Sequence, residues 1–354
     1  MGPNRNIRAL MVGAVRHAFD YAPIIASHPR LELVGIAEES KADLWKIDLA
    51  QKLAKKCRTS FSLVEDALSR KDIDLVIVTT EPTRHATLAI QAIQAGKNVF
   101  VDKPVATSIA DAEKLAKVIE DRNLVTSYFH RLFEPSVERA KECIQSGQIG
   151  LPLTLDLTWI SANSLIDEGG DIIIEKRLSG GGEIRNFLGY PLDIVLWLTG
   201  LEPIRIFTSS NSITSNSHAA SGVENLATIV LELESGVRAN ITVGRGPNNG
   251  NGIFTTSIVG SHGFLSVNEN RPTLEISSTL EDIKSLINFE QENFQKLFNL
   301  LLNDVISALD GKKQVRRTLL DGCKIARLID TAYVSASTYQ PVSVDFGSLP
   351  FKAV

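Results

Sequence analysis

Ile7-Arg8-Ala9-Leu10-Met11-Val12-Gly13-Ala14-Val15-Arg16-His17-Ala18 is the stretch whose reading decides the fold. Its apolar run predicts a strand over Ile7–Gly13, the glycine marks a turn, and Ala18–Ser27 has helical periodicity. The same unit then recurs. Apolar runs at Leu31–Ala37, Asp74–Thr80, Asn98–Val101 and Leu124–Tyr128 predict four more strands. Most carry Val, Ile and Leu on successive residues, as a parallel sheet covered on both faces requires. Helices are expected between them at Lys41–Lys56, Ser62–Ser69, Arg84–Ala95 and Ile109–Arg122. Gly96 suits the position just past the fourth helix, and Ser108 with Asp111 suits the cap of the fifth. Alternation at this spacing predicts an α/β domain built on a doubly wound, Rossmann-like parallel sheet.

Beyond Gly150 several apolar runs alternate with polar residues. Strands are expected at Leu153–Trp159, Ile204–Ser209, Ala227–Glu234, Val237–Gly244, Phe254–Val259 and Gly263–Val267. Ser235-Gly236 and Ser261-His262-Gly263 are short enough to be tight hairpin connections. Helices at Pro135–Ser146 and Leu188–Leu198 precede the sheet, and Glu290–Leu309 and Leu319–Ser335 follow it. The second part is therefore expected to be α+β, with an open, mostly antiparallel sheet and flanking helices. The expected division is 1–129 and 130–354, with Pro135 opening a helix at its first turn. Gly244–Gly252, rich in glycine and asparagine, reads as a flexible loop.

The 354 residues suffice for two domains, and a chain this long buries about 75% of its unfolded surface without needing a metal or disulfide. Lys and Arg total 37 against 41 Asp and Glu, which removes the basic excess expected of nucleic-acid or anionic-membrane binders. Cys57, Cys143 and Cys323 are odd in number, far apart and without a C-x-x-C pair, so no disulfide framework or zinc site is encoded. Arg5, Arg8, Arg16 and Asp20 interrupt any signal-peptide core, and no apolar run reaches the ~18 residues of a spanning helix. A cytoplasmic location is expected, with no metal.

In an open parallel sheet, ligands bind beyond the carboxyl ends of the strands. That places Gly13, Ala14, Val15, Arg16 and His17 after the first strand, and Glu38 after the second, among the candidate cofactor contacts. Thr80, Glu81, Pro82 and His85 follow the third, and Asp102 and Lys103 the fourth. A dinucleotide fingerprint reads G-x-G-x-x-G; this chain keeps Gly13 and has Val15 and Ala18 at the other places. Ala18 still permits close helix–strand packing, whereas Val15 stands where a glycine lets the backbone approach a pyrophosphate. His17, where that pyrophosphate would pass, could compensate. A strand–turn–helix corner with no ligand is the alternative reading. Glu38 lies about 25 residues beyond Gly13, where an acid hydrogen-bonds ribose hydroxyls and repels a 2′-phosphate; NAD is expected in preference to NADP. A lysine such as Lys103, at the end of a buried strand before a proline, is costly to place without a use.

The run Ala95-Gly96-Lys97-Asn98-Val99-Phe100-Val101-Asp102-Lys103-Pro104 resembles the Gfo/Idh/MocA family of glucose–fructose oxidoreductase and inositol dehydrogenase, whose pattern is A-G-K-x-V-x-x-E-K-P. Asp102 replaces the family's Glu. Arg131 with Pro135 resembles the segment after the fifth strand, and Gly180-Gly181-Gly182 through Trp197-Leu198-Thr199-Gly200 resembles the family's glycine-opened helix. The resemblance covers nearly the whole chain. It implies a nicotinamide-dependent enzyme acting on a sugar, cyclitol or related polyol, with a dinucleotide-binding first domain and a second domain for substrate and oligomerisation. It also implies a homo-oligomer, a dimer or tetramer. Family members place the lysine beside the reacting hydroxyl and pair it with an Asp and a His, which fall here on Asn186 and Tyr190; Asp193 is retained, and His85 matches a family His.

The resemblance thus makes Lys103, Tyr190 and Asn186 the catalytic candidates, and Lys103, Arg131, Asn186 and Tyr190 the substrate contacts. On a helix, 186, 190, 193 and 197 share one face, and Pro191 requires Tyr190 to lie in the first turn. Tyr190 as a half-buried aromatic and Asn186 as a cap is the alternative. A phenol of pKa about 10 would need the Lys103 ammonium within roughly 4–6 Å to transfer a proton. Otherwise Lys103, with a pKa lowered by burial, handles the proton and Tyr190 positions the hydroxyl. Arg185, Glu183, His130 and Arg131 are secondary candidates, each with a solvated or salt-bridged alternative. An NAD-retaining lyase or glycosidase, or a nucleotide-binding protein without catalysis, are the competing functions.

Overall fold

The computed structural model describes residues 5–162, 170–246, 252–280, 282–291 and 293–347. The expected flexible loop falls largely on 247–251, outside the described residues. The chain opens with β1 (Ile7–Val12), α1 (Ala18–Ser27), β2 (Leu31–Glu38), α2 (Leu44–Lys56), β3 (Phe61–Leu63) and α3 (Val64–Ser69). It continues with β4 (Leu75–Val78), α4 (His85–Gln94), β5 (Asn98–Val101), α5 (Ile109–Glu120) and β6 (Thr126–Tyr128). These strands form one sheet in the order β3-β2-β1-β4-β5-β6, every pairing parallel. Its chain order reverses between β1 and β4, the switch point beyond which an open α/β sheet binds ligands.

The second series is α6 (Pro135–Gln145), β7 (Pro152–Ser161), α7 (Gly170–Ile174), α8 (Lys176–Ser179), α9 (Glu183–Phe187) and α10 (Gly189–Thr199). Then come β8 (Pro203–Asn211), α11 (Asn216–Ala220), β9 (Leu226–Leu233), β10 (Arg238–Arg245), β11 (Ile253–Gly260), β12 (Gly263–Asn268), β13 (Thr273–Ser278) and β14 (Ile283–Asn288). The chain ends with α12 (Phe294–Leu309), α13 (Leu319–Thr338) and β15 (Val342–Ser343). The second sheet runs β14-β13-β12-β11-β7-β10-β9-β8-β15, antiparallel except for the parallel pair β7–β10. Ser235 and Gly236, at φ 60 and 78, make the expected tight turn between β9 and β10.

Two compact units result: Met1–Phe129 with Phe294–Ala326, and His130–Asn293 with Arg327–Val354. A single cut after residue 129 is therefore corrected, because the chain re-enters the first unit through α12 and the start of α13. Phe298 explains the return. It is fully buried, stacked on Tyr21 with ring centroids 4.1 Å apart and edge-on to Phe100 at 5.9 Å. Burying one such ring outweighs the modest entropy of closing a long loop.

Smaller differences have local causes. The helix expected over Ser62–Ser69 begins only at Val64, and Phe61–Leu63 pairs with β2 as an edge strand, its parallel partners being Ile36, Ala37 and Glu38. The β13–β14 hairpin was not expected, its alternation being masked by polar residues on the open face. Among the described residues, no helix is long and apolar enough to cross a membrane. Phe298→Ala should lower unfolding stability by about 3–5 kcal/mol, read from the urea midpoint; an unchanged midpoint would remove α12 from the first unit's core.

Candidate active site

In the first unit the candidate residues gather at the carboxyl ends of β1, β2, β4 and β5. Gly13 turns the chain at φ +85, and a Cβ there would overlap Thr80, so no other residue fits. Val15 is buried and its amide donates to the Thr79 carbonyl at 3.2 Å. The amides of Ala18, Phe19 and Asp20 donate back to the carbonyls of Val15, Arg16 and His17. The start of α1 therefore satisfies several of its own donors, which leaves fewer for an anion.

Side chains take over at this corner. Asp102, buried beyond the end of β5, accepts from His17 Nδ1 at 2.8 Å, from the Tyr21 hydroxyl at 2.8 Å and from the Lys103 amide at 2.9 Å. Burial alone would raise the Asp102 carboxyl; the charges of His17, His85 and Lys103 hold it well below the usual carboxylate range. Lys103 follows, half-buried, before a cis bond to Pro104. His85, expected among the cofactor contacts, is fully buried with its ring nitrogens 2.7 Å from the Pro104 carbonyl and 2.8 Å from the Thr80 carbonyl. It ties two turns together and presents no free edge.

Glu38 is also fully buried. It accepts from Arg84 Nη1 at 2.8 Å and Nη2 at 3.2 Å and from the Glu39 amide at 2.8 Å. Arg84 further pairs with Glu39 at 2.7 Å and Glu81 at 2.8 Å, and Glu81 takes Lys46 at 2.6 Å. Burial pushes the Glu81 carboxyl up, but Arg84 and Lys46 outweigh it and the net shift is downward. Carboxylates outnumber cations in this cluster, so it disfavours a 2′-phosphate. Arg84 and Lys46 escaped the sequence reading. Glu81 and Arg84 at a spacing of three was a signal for the first; Lys46 is an ordinary helix lysine until the chain folds. The set fits a nicotinamide dinucleotide: a glycine turn without a side chain, the partly exposed Glu39 carboxylate just beyond β2 with Glu38 buried behind it, and an imidazole edge at the turn.

The second unit carries its own charged core beside the triple glycine. A Cβ on Gly182 would overlap the Glu224 backbone, which admits only glycine before α9. Glu183 is fully buried and accepts from Arg245 Nε at 2.6 Å, Asn186 Nδ2 at 2.8 Å and His218 Nε2 at 3.2 Å. Burial pushes this carboxyl up, yet the His218, Arg245 and Asn186 donors bring it down to about 2. Glu183 and Arg185 are thus not solvated charges: Arg185 is buried, paired with Asp330 and 5.0 Å from the Tyr333 ring.

Tyr190 lies in the first turn of α10, as Pro191 requires. Its ring stacks on Trp159 at 5.3 Å and lies 6.4 Å from Phe187, while Trp159 meets Phe254 edge-on at 5.2 Å. The Arg131 guanidinium sits 5.3 Å from Trp159 and 5.9 Å from Phe254. It pairs with Glu134 and, at 3.3 Å, with Glu269. Burial opposes its charge, but Glu269 and Glu134 raise its pKa. Glu269, missed from sequence, is buried with neither oxygen hydrogen-bonded. Burial pushes its carboxyl up, against Arg131 and with the charge of Glu134 adding to the rise. Two carboxyls share one guanidinium, an arrangement that favours the protonated form of the buried Glu269.

The chain matches two family models: residues 7–130 an "Oxidoreductase family, NAD-binding Rossmann fold", and residues 137–266 a "GFO/IDH/MocA C-terminal domain". It is 25% identical over 287 residues to an uncharacterized oxidoreductase, YrbE, of Bacillus subtilis (strain 168), covering 79% of this chain and 81% of that one. It is 21% identical over 341 residues to an inositol 2-dehydrogenase of Rhizobium meliloti (strain 1021), covering 96% and 99%. A solved structure of levoglucosan dehydrogenase in complex with NADH and levoglucosan superposes with a TM-score of 0.83 at 19% identity, over 96% of this chain and 99% of that one. That likeness is one of fold.

The Glu269 arrangement has a stability signature. A carboxyl whose folded pKa lies above its unfolded value makes the native state bind more protons, so stability falls as pH rises through the interval between the two. Glu269→Gln removes this slope. Its melting temperature relative to the unaltered chain should therefore climb between about pH 5 and pH 9; a difference independent of pH would mean that Glu269 is ionised throughout.

Proposed function

The chain belongs to the Gfo/Idh/MocA oxidoreductase family, whose first domain binds NAD, and from that premise we propose a dehydrogenase that oxidises a secondary hydroxyl of a cyclic polyol or sugar. The observation that carries this is Lys103, held beyond the end of β5 by the backbone bond its amide makes to buried Asp102. Bound nicotinamide supplies the hydride acceptor. Lys103 takes the hydroxyl proton as the hydride leaves, the neighbouring buried carboxylate Asp102 being committed to three other donors and unable to compete.

On the substrate side, the half-buried Tyr190 and Phe254, backed by the buried Trp159, offer aromatic faces to the apolar face of a ring, and Arg131 offers donors to its hydroxyls. Asn186 contributes a neutral amide where an acid is usual in the family. The names of the relatives, inositol and levoglucosan dehydrogenases, support a cyclic substrate rich in hydroxyls. Tyr190 orients the hydroxyl in this reading, since its ring is engaged with Trp159 and Phe187.

Over a panel of inositols, anhydrosugars and aldoses, formation of NADH with one member supports the proposal. Turnover without net NADH would favour the lyase reading. With the active member, Lys103→Met should lower kcat by about 10²–10⁴-fold while the NADH dissociation constant stays within about twofold; normal turnover would reject the role of Lys103. Glu38→Ser releases Arg84 from its bidentate partner at the ribose end. NADPH binding relative to NADH should rise about tenfold or more by calorimetry, and an unchanged ratio would refute Glu38 as the selecting group.

A further inference from the structure

Two residues that depart from the fingerprint or family pattern, Val15 and Asp102, belong to turns at the carboxyl ends of β1 and β5, and His17, two residues beyond Val15, bonds to Asp102. Val15 stands where a glycine would let the backbone approach a pyrophosphate, and its amide is already given to Thr79. Further along, the amides of Ala18, Phe19 and Asp20 in the first turn of α1 close onto the carbonyls of Val15, Arg16 and His17. A dinucleotide laid over this corner thus finds the amides of Val15 and of the first turn of α1 already engaged.

His17 supplies a donor at that place. One ring nitrogen, Nδ1, is 2.8 Å from the Asp102 carboxylate. The other, Nε2, has no partner among the described residues, and 25% of the side chain stays open to solvent. Aromatic rings hold the imidazole: Tyr21 at 5.8 Å, Phe129 at 6.4 Å and Phe294 at 6.4 Å. A carboxylate on one nitrogen fixes both tautomer and ring orientation, so the second nitrogen is presented without a rotamer search. Asp102 also receives Tyr21 and the Lys103 amide, so the group that orients His17 is the one that anchors the catalytic candidate.

We propose that His17 is a ligand to the pyrophosphate of NAD(H), oriented by Asp102, and that it replaces the backbone approach that Val15 closes off. The inference rests on the reading of the chain as an NAD-binding enzyme and adds a contact that the fingerprint does not contain. Pyrophosphate is common to NADH and ADP-ribose, whereas nicotinamide is not. This permits a test without turnover.

The experiment is calorimetric titration of NADH and of ADP-ribose into the unaltered chain and into His17→Asn. Asparagine keeps a donor for Asp102 but has nothing in place of Nε2, so the fold is retained and the melting temperature reports it. His17→Asn should weaken both nucleotides in parallel, by about tenfold or more. Undiminished binding, or a loss confined to NADH, overturns the assignment. Should His17→Asn fail to fold, His17→Gln is read in the same way: a parallel loss supports the contact, and no loss or a loss for NADH alone removes it. An unaltered chain that binds neither nucleotide overturns the NAD-binding reading itself, an outcome distinct from failure of His17 alone.

Discussion

A carboxylate shut away from water must be satisfied by its neighbours, and that requirement organises the candidate residues of both units. Asp102 gathers an imidazole, a phenol and a backbone amide. Glu38 and Glu81 gather Arg84, and Glu81 adds Lys46. Glu183 gathers Arg245, Asn186 and His218. Each acid would be costly to bury alone, by several kcal/mol after relaxation, so its donors are held as firmly as the acid itself. Rigid placement of side chains around a site follows from this, without any ligand to impose it.

The same constraint accounts for departures from the family pattern that look like losses when taken singly. Asn186 replaces an acid, yet a carboxylate at that position would sit against Glu183, whose charge is already fixed in place by Arg245 and His218. An amide donates to Glu183 where a second carboxylate would be repelled. Asp102 replaces a glutamate, and the shorter acid is the one that His17 and Tyr21 reach. The substitutions are coupled to partners distant in sequence, so each is intelligible only beside its partner.

Much of the architecture was legible in the order of residues. Val, Ile and Leu runs located five of the six parallel strands, because a strand covered on both faces needs apolar side chains in succession. Gly13, Gly96 and the Ser235-Gly236 turn announced themselves through backbone conformations that few other residues adopt. The short edge strand Phe61–Leu63 and the β13–β14 hairpin were not legible, since weak local patterns acquire their state from the strand beside them. The return of Phe294–Ala326 to the first unit was hidden for a similar reason: an amphipathic helix shows that it has an apolar face and not which surface it covers.

The candidate site divides along the same line. Gly13, Glu38 and Lys103 could be named from the sequence because strand ends and turn chemistry are local and the chain writes them in consecutive residues, whereas Tyr190 was named by the resemblance to the family. Which charges meet was decided by the folded chain alone. Lys46 finds Glu81, His17 finds Asp102, and Arg131 is shared between Glu134 and Glu269. These pairings form where strands from separate stretches end side by side and water is excluded, and the strength of an ionic contact depends on distance and burial, neither of which residue order contains.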